Sequence, residues 1–349
     1  MTAVNVDTKP IIEARDLTKH FRRPVREPGL KGAVRHLFRP AWKDVVAVEG
    51  VNLRIMTGES VAYVGPNGAG KSTTVKLLTG ILVPTSGEIT VNGLTPFQNR
   101  VENARRIGVV FGQRTQLWWD IPVGESFRLL GDIYELPDHI YRESFAELIE
   151  VLNLEPLLRV PARQLSLGQR MRCDLAASLL HRPPVLYLDE PTIGLDVSVK
   201  ARFREFIRHM HRQRGLTVML TSHDLGDIEE LCDRMVMIDQ GKIVYDGALA
   251  EVTARFGWER RIHLTLTEPD EAAVETASRA LASRPGAVPS QPEPTQVTVT
   301  FDSREATSGE LIRDLATALD VTDIRIEEPT AESIIRRLYE GDLQFETAG

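Results

Sequence analysis

Short apolar runs alternate with longer helical patterns through the middle of this chain. Each run is five residues long, and the runs are 60–64, 107–111, 185–189, 217–221 and 235–239. Continuous apolar runs are typical of strands buried on both faces of a parallel sheet, whereas strands with one wet face alternate apolar and polar residues. Because helical patterns separate the runs, the sequence predicts an α/β fold with a parallel-sheet core.

Two strand-like stretches, 11–21 and 45–56, precede this region and flank an unusual segment. Segment 22–43 carries seven basic residues against one acidic residue, together with three prolines and two glycines. This composition predicts an insertion that contains one short helix, 30–38. Two interpretations stay open: a solvated loop, or a basic patch that contacts anionic lipid or a protein partner.

The last part of the chain differs in charge and in pattern. Residues 261–349 contain 17 acidic against 8 basic side chains. Helical patterns at 270–282 and 306–319 alternate with strand patterns at 261–267, 286–290, 296–302 and 321–327. The order β-α-β-β-α-β predicts a small acidic α+β domain of the ferredoxin-like type, and a last helix is expected after Pro329.

Overall composition narrows the possible functions. The chain has 349 residues, of which 42% are apolar and 26% charged, as in ordinary soluble globular proteins. A net charge of −7 does not favour nucleic acid as a partner. The longest charge-free stretch is 11 residues, whereas a membrane-spanning helix needs about 20. We therefore expect membrane contact only through a partner, and Cys173 and Cys232 fit a reducing cytosol.

Residues 65–72 match the pattern G-x-x-x-x-G-K-[ST], with a predicted strand before them and a helical run after them. Glycines in such a loop let backbone N–H groups converge on phosphate oxygens at a helix N-terminus. We expect Lys71 to reach the β- and γ-phosphates of ATP and Ser72 to ligate Mg²⁺. The candidate nucleotide-binding residues here are Gly65, Asn67, Gly68, Gly70, Lys71, Ser72 and Thr73.

Two acidic residues, Asp189 and Glu190, end the apolar run 185–189. Carboxylates at the carboxyl end of a parallel strand lie in the ligand crevice, so Asp189 is a candidate Mg²⁺ ligand and Glu190 a candidate general base.

A second helix N-terminus suited to phosphate is predicted at Ser166, which is a good N-cap residue. Since one nucleotide rarely needs two such ends from one chain, a head-to-tail dimer is indicated.

These ordered motifs resemble those of the ATP-binding subunits of ABC transporters, over about residues 11–255. The resemblance implies an ABC-type P-loop ATPase domain over residues 1–258, with an antiparallel β subdomain and a helical subdomain at about 114–182, followed by an accessory domain over 259–349. Residues 165–169 are similar to the signature motif LSGGQ, with Leu167 replacing its first glycine. Ser166, Gly168 and Gln169 would then contact nucleotide.

The resemblance also implies roles for residues outside these two loops. Gln113 matches the glutamine that senses Mg²⁺, the attacking water and the membrane partner, and His223 matches the histidine that contacts the γ-phosphate. Asp196 lies in a loop like the one that touches the opposing subunit, although Val197 stands where proline is common. Phe21 is the candidate for stacking on adenine. Two ATP molecules would be sandwiched between two such subunits, a homodimer by preference, with a heterodimer still open.

Residues 111–119 and 165–172 resemble a branch of drug- or toxin-export ATPases that work beside separate multispan permease subunits. Trp118 and Trp119 are expected either to dock the permease or, for at least one of them, to lie in the core. The protein would be peripheral, at the cytoplasmic face of the membrane. Polysaccharide or teichoic-acid export, uptake, and a soluble ABC ATPase acting on ribosomes or DNA remain alternatives.

Overall fold

The computed structural model describes residues 9–25, 41–112, 114–284, 286–329, 334 and 337. The predicted helix 30–38, Gln113 and most of the predicted last helix lie outside the described residues. The chain divides into two compact units, one ending at Gly247 and the other beginning at Ala248. No helix in the described parts of the chain is both long and apolar enough to cross a membrane.

The first unit contains strands and helices in the alternating order expected of an α/β fold. Its strands are β1 Pro10–Val25, β2 Ala41–Met56, β3 Ser60–Val64, β4 Ser86–Val91, β5 Ile107–Phe111, β6 Val185–Asp189, β7 Thr217–Thr221, β8 Arg234–Asp239 and β9 Lys242–Ala248. Its helices are α1 Lys71–Leu78, α2 Arg100–Ala104, α3 Val123–Ile133, α4 Asp138–Val151, α5 Leu167–Leu179, α6 Val197–Arg214 and α7 Leu225–Leu231.

A six-stranded sheet in the order β5-β6-β7-β3-β8-β9 forms the core of this unit. The pairs β5–β6, β6–β7, β7–β3 and β3–β8 are parallel, which confirms the predicted fold class. Strands β3 and β7 are buried at every position, because helices cover both faces of a parallel sheet. The carboxyl ends of β3 and β6 lie on either side of β7, so the loops that follow them meet at one edge.

A three-stranded antiparallel sheet, in the order β2-β1-β4, is the predicted antiparallel β subdomain. Strands β1 and β2 are longer than predicted, since their ladder continues until Val25 pairs with Ala41. The ends of segment 22–43 are therefore strands, which corrects the prediction of an insertion throughout. Pro24 is tolerated because β4 pairs with β1 only as far as Thr18, so β1 has an open edge at the proline.

Helices α3, α4 and α5 and two short 3₁₀ turns, Glu155–Leu157 and Ala162–Gln164, lie between β5 and β6, where the helical subdomain was predicted. Helix α5 begins at Leu167, directly after the predicted N-cap Ser166, and a capping box closes its first turn. The Ser166 Oγ accepts from the Gln169 N–H at 3.2 Å, and Gln169 Oε1 accepts from the Ser166 N–H at 2.9 Å.

The second unit has the predicted β-α-β-β-α-β order after a first helix. Its elements are α8 Leu249–Phe256, β10 Glu259–Leu266, α9 Ala273–Ala280, β11 Val288–Glu293, β12 Gln296–Asp302, α10 Ser308–Ala318 and β13 Val321–Glu327. The sheet order β11-β12-β10-β13 with antiparallel pairs is the ferredoxin-like arrangement, which confirms the prediction. Alternate residues of β10 and β12 face the helices, so Ile262 and Val299 pack with Leu311 in one apolar core.

A buried ionic network joins α6 to α7 in the first unit. The Asp227 side chain is fully buried and accepts from Arg204 Nε at 2.6 Å, from Ser222 Oγ at 3.1 Å and from the Thr192 hydroxyl. The same guanidinium also donates to Asp224 at 3.0 Å. Both carboxylate oxygens of Asp227 therefore accept hydrogen bonds, so the negative charge can stay buried.

We predict that Asp227→Ala lowers the free energy of unfolding by about 3–5 kcal/mol, because it removes the buried carboxylate opposite Arg204. The matched control is Arg208→Ala. Arg208 pairs with Glu230 at 3.2 Å, but both side chains are 40% exposed, so this change should cost less than about 1 kcal/mol. Urea unfolding followed by circular dichroism measures both values, and equal losses for the two variants would contradict the network's role.

Candidate functional site

The loop between β3 and α1 passes so close to neighbouring strands that only glycine fits at two positions. A Cβ atom on Gly65 would lie 2.1 Å from the Ile238 carbonyl oxygen, and one on Gly70 would lie 2.4 Å from the Ala47 carbonyl oxygen. Gly70 is also left-handed, with φ of 113°. No side chain among the described residues caps α1 at Gly70. The first N–H groups of α1 are therefore available to an anion such as a phosphate.

Lys71 folds back over this loop. Its side chain is nearly buried, and its Nζ donates to the carbonyl oxygens of Gly65 at 2.5 Å and Pro66 at 3.2 Å. Burial lowers the pKa of Lys71, while the nearby carboxylates of Glu190 and Asp189 oppose that shift. The ammonium group is thus held at the loop together with the helix N-terminus, an arrangement that suits a polyphosphate.

The carboxylate at the end of β6 faces the hydroxyl at the start of α1. Ser72 Oγ donates to Asp189 Oδ1 at 3.4 Å, and Thr221 Oγ1 donates to the same oxygen at 2.6 Å. Hydroxyl and carboxylate oxygens are the donors that Mg²⁺ prefers, so Ser72 and Asp189 fit that ion. Thr221 was not among the predicted site residues, although its place at the end of the neighbouring strand could have indicated it.

Glu190 is held in an uncommon backbone conformation, with φ of 53°. Its N–H donates to the Thr221 carbonyl oxygen at 3.0 Å, and its Oε2 accepts from the His223 N–H at 3.2 Å. The other oxygen, Oε1, lies 3.2 Å from His223 Nε2 but is buried without a hydrogen-bond partner among the described residues. Such a buried acceptor fits a water molecule or a nucleotide group.

The same surroundings affect the basicity of this carboxylate. Burial raises the pKa of Glu190, and the neighbouring His223 and Lys71 oppose the rise. A carboxylate with a raised pKa is a better proton acceptor, as a general base near neutral pH requires.

A cavity of about 360 Å³ extends from this cleft to the antiparallel sheet. It contains Phe21 together with all the predicted loop residues except Gly65, so the structure brings Phe21 to the phosphate-binding loop. Residues 45–47 also line it, and sequence reasoning missed them because small apolar strand residues carry no functional signal. The lining residues are Phe21, Val45, Val46, Ala47, Asn67, Gly68, Gly70, Lys71, Ser72, Thr73, Glu190 and His223.

A second cavity, of about 300 Å³, is lined by residues that include Ser72, Asp189 and Glu190. Gly112 and Arg114, the neighbours of Gln113, line it, and the Gly112 N–H donates to the Asp189 carbonyl oxygen at 2.9 Å. The chain on both sides of Gln113 therefore reaches the acid pair, although Gln113 itself lies outside the described residues.

Four predicted nucleotide contacts are not brought to this cleft within one chain. Ser166, Gly168, Gln169 and Asp196 line neither of the two cavities described above. Asp196 instead caps α6, accepting from the Val199 N–H at 2.9 Å, and this hydrogen bond lowers the pKa of Asp196. These residues therefore form a second group, separate from the first in the same subunit.

Trp118 and Trp119 are both solvent-exposed, by 39% and 50%. The interpretation that at least one of them lies in the core is therefore wrong. The Arg170 guanidinium lies 5.8 Å from the centre of the Trp119 ring. The pair forms an exposed aromatic surface beside the segment that contains Gln113.

Comparison with known proteins agrees with this geometry. Residues 48–193 match the family model described as ABC transporter. The chain is 34% identical to the ABC transporter ATP-binding protein NatA of Bacillus subtilis, over 61% of this chain and 86% of that protein. It is 32% identical to the daunorubicin resistance ATP-binding protein DrrA3 of Streptomyces coeruleorubidus, over 88% of this chain and 95% of that protein.

Solved structures show the same fold. An ATP-binding subunit of an ABC transporter matches with a TM-score of 0.59 and 25% identity, over 71% of this chain and 93% of that one. A dimeric bacterial ABC transporter cassette matches with a TM-score of 0.56 and 25% identity, over 68% and 98%. By its motifs, its fold and these relatives, this chain belongs to the ATP-hydrolysing, ATP-binding subunits of ABC transporters.

Proposed function

We propose that this chain powers export of a drug- or toxin-like small molecule through separate multispan permease subunits. ATP hydrolysis rests on one observation above all: Glu190, whose buried Oε1 has no hydrogen-bond partner among the described residues, lines the cleft that also holds Lys71 and His223. Export rests on the relatives, since DrrA3 is named for resistance to daunorubicin. The ferredoxin-like second unit supports a small molecule over polysaccharide, whose exporters typically carry β-sandwich appendages.

In this proposal ATP lies along the 360 Å³ cavity. The N–H groups at the start of α1 and the Lys71 ammonium bind its phosphates, and Phe21 stacks on its adenine. Ser72 and Asp189, together with Gln113, would hold Mg²⁺, which would neutralise phosphate charge. The tight approach of Gly65 and Gly70 to neighbouring carbonyl oxygens fixes the loop before ATP arrives, so little ordering cost remains for binding.

Glu190 is the proposed general base. Its Oε1 accepts a proton from the attacking water, while the His223 N–H fixes Oε2 and so orients the carboxylate. The His223 ring beside Oε1 positions the water and stabilises charge on the transferring phosphoryl group.

The separate group of Ser166, Gly168, Gln169 and Asp196 implies a second subunit. We propose a head-to-tail homodimer in which these residues of one subunit complete the nucleotide site of the other. ATP would favour the closed dimer by the difference in its affinity for the two states, and hydrolysis would release it.

The proposed membrane partner docks on the Trp118–Trp119 surface, because exposed adjacent aromatics are effective interface anchors. The subunit would thereby lie at the cytoplasmic face of the membrane. Segment 22–43 would add contacts to anionic lipid or to the permease. We assign residues 1–258 to the ATPase domain and 259–349 to an accessory domain, although residues 248–258 belong to the second compact unit of the fold.

We predict that Glu190→Gln lowers kcat by about 10²- to 10⁴-fold while ATP-driven dimerisation persists, because the amide cannot accept the proton but keeps the shape. Phosphate release measures turnover, and gel filtration with Mg-ATP measures dimerisation. Glu229→Gln, the same change on the exposed side of α7, is the control and should keep full activity. Undiminished hydrolysis in Glu190→Gln would exclude Glu190 as the base.

We predict that Lys71→Ala weakens ATP binding by roughly 10- to 100-fold, the value of one charge-assisted hydrogen bond to phosphate. Equilibrium titration with a fluorescent ATP analogue gives the Kd. Lys242→Ala is the matched control, since that lysine is 62% exposed and pairs with Glu49 at 3.4 Å. Equal affinities for the two variants would show that Lys71 does not contact the phosphates.

We predict that the double change Trp118→Ala and Trp119→Ala prevents recovery of multispan membrane proteins with the tagged chain. The test purifies Glu190→Gln protein from detergent-solubilised native membranes and identifies its partners by mass spectrometry. Val288→Ala, which shortens an apolar side chain that is 64% exposed on the second unit, is the control and should leave recovery intact. Recovery of ribosomal or DNA-bound proteins without any membrane protein would overturn the transport proposal.

A further inference from the structure

A buried carboxylate on α5 holds the chain segment that follows Gln113. Asp174 is only 3% exposed, and its Oδ1 accepts two hydrogen bonds, from Thr115 Oγ1 at 2.8 Å and from the Gln116 N–H at 2.8 Å. The Thr115 hydroxyl oxygen in turn accepts from the Leu117 N–H at 3.1 Å. One side chain of α5 thus organises three consecutive residues of the 114–119 segment.

The position of this carboxylate makes the contact hard to break. Burial raises the pKa of Asp174 to about 6, and the hydrogen bonds from Gln116 and Thr115 oppose the rise by favouring the ionised form. A buried charge is costly without hydrogen-bond donors. Both donors lie on the 114–119 segment, so moving the segment away from α5 would leave the charge without them.

The 114–119 segment also connects the catalytic sheet to the exposed aromatic surface. On the sheet side, Gln116 Nε2 donates to the Val109 carbonyl oxygen of β5 at 2.6 Å. At its end, the Trp118 N–H donates to Ser126 Oγ at 3.3 Å, and the Trp119 carbonyl oxygen accepts from the Arg163 N–H at 3.1 Å. The segment therefore connects β5 to the Trp118–Trp119 surface, and Asp174 bonds its middle residues to α5.

We propose that Asp174 is a positioning residue that fastens the Trp118–Trp119 surface to α5, so that the surface moves with this helix when nucleotide engages its N-terminus. The inference rests on the proposed dimer, in which Ser166 at the start of α5 faces the nucleotide of the other subunit. Asp174 lies eight residues further along, or about 12 Å at 1.5 Å per residue. It touches neither cavity and acts only through the segment it holds.

The experiment measures distances within one subunit by spin labelling. In the Glu190→Gln chain, one labelled pair is Asp120→Cys with Gln213→Cys, which reports the segment against α6. The other pair is Glu150→Cys with Gln213→Cys, which reports the helices, since Arg172 of α5 donates to the Leu152 carbonyl oxygen beside α4 at 3.0 Å. Labelled chain is diluted with unlabelled chain, so that distances between subunits do not contribute.

Native cysteines do not interfere with this labelling. Cys173 and Cys232 are 0% and 4% exposed. Burial raises the pKa of each thiol to about 12, so neither reacts readily at neutral pH. The introduced positions 120, 150 and 213 are all exposed.

The labelled Glu190→Gln chain is the parent for this comparison, and Mg-ATP should change both of its spin-label separations. In Asp174→Leu the helix pair should still shift, whereas the shift of the segment pair should be lost. Asp174→Asn should behave like the parent, because its amide oxygen can accept both hydrogen bonds. Thr115→Val removes one of the two donors and should give a partial loss, which keeps the test valid if Asp174→Leu does not fold.

Two results would overturn the inference while the proposed function stands. One is a full shift of the segment pair in Asp174→Leu or, if that variant does not fold, in Thr115→Val. The other is a parent chain that dimerises with ATP and shifts its helix pair but not its segment pair. Absence of both shifts together with absence of ATP-driven dimerisation would instead overturn the proposed function, and the inference with it.

Discussion

The close packing of the loop after β3 against two neighbouring strands is the constraint on which the site depends. Its glycines lie against carbonyl oxygens of two different sheets, Ala47 of β2 and Ile238 of β8. A side chain at Gly65 or Gly70 would displace backbone, not merely a flexible neighbour, so the loop, both sheets and the start of α1 are fixed together. This contact places Phe21 of the antiparallel sheet near a phosphate-binding helix end of the parallel sheet, and it forms the cleft before any ligand binds.

Buried charged side chains in this chain differ in how completely the protein satisfies their hydrogen bonds. In the network around Asp227 the hydrogen-bonding groups are matched, and the result is a fixed junction between α6 and α7. In the cleft and among the described residues, Glu190 Oε1 has no hydrogen-bond partner, and the Lys71 ammonium donates only to carbonyl oxygens of its own loop. The first pattern contributes rigidity, whereas the second leaves binding capacity for ATP and water.

In the proposed dimer, a single subunit contributes one half of each of two nucleotide sites. The cleft around Lys71 is one half, and the capped start of α5 with Asp196 is the other. Leu167 fits this division, since its Cδ2 would lie only 2.8 Å from a Cβ atom on Gly194. The family's usual glycine would leave this space empty, so here the signature stretch contacts the 194–196 loop within one chain. Asp174 connects α5, which belongs to this second half, to the segment that carries the Trp118–Trp119 surface. In the proposed dimer, this contact links the nucleotide site to the permease.

The sequence by itself determined the strands of the parallel sheet, the phosphate-binding loop, the acid pair and the order of the second unit. These follow from local rules: apolar runs, glycine spacing and capping residues act over a few neighbours. It underestimated β1 and β2 and missed β4, where only two of six residues are buried, because pairing to other strands decides those elements. Likewise only the tertiary structure decided that Thr221 bonds Asp189, that residues 45–47 line the cleft and that Asp174 holds Thr115. Each of these contacts joins residues more than 20 positions apart, where composition and spacing carry no information about distance.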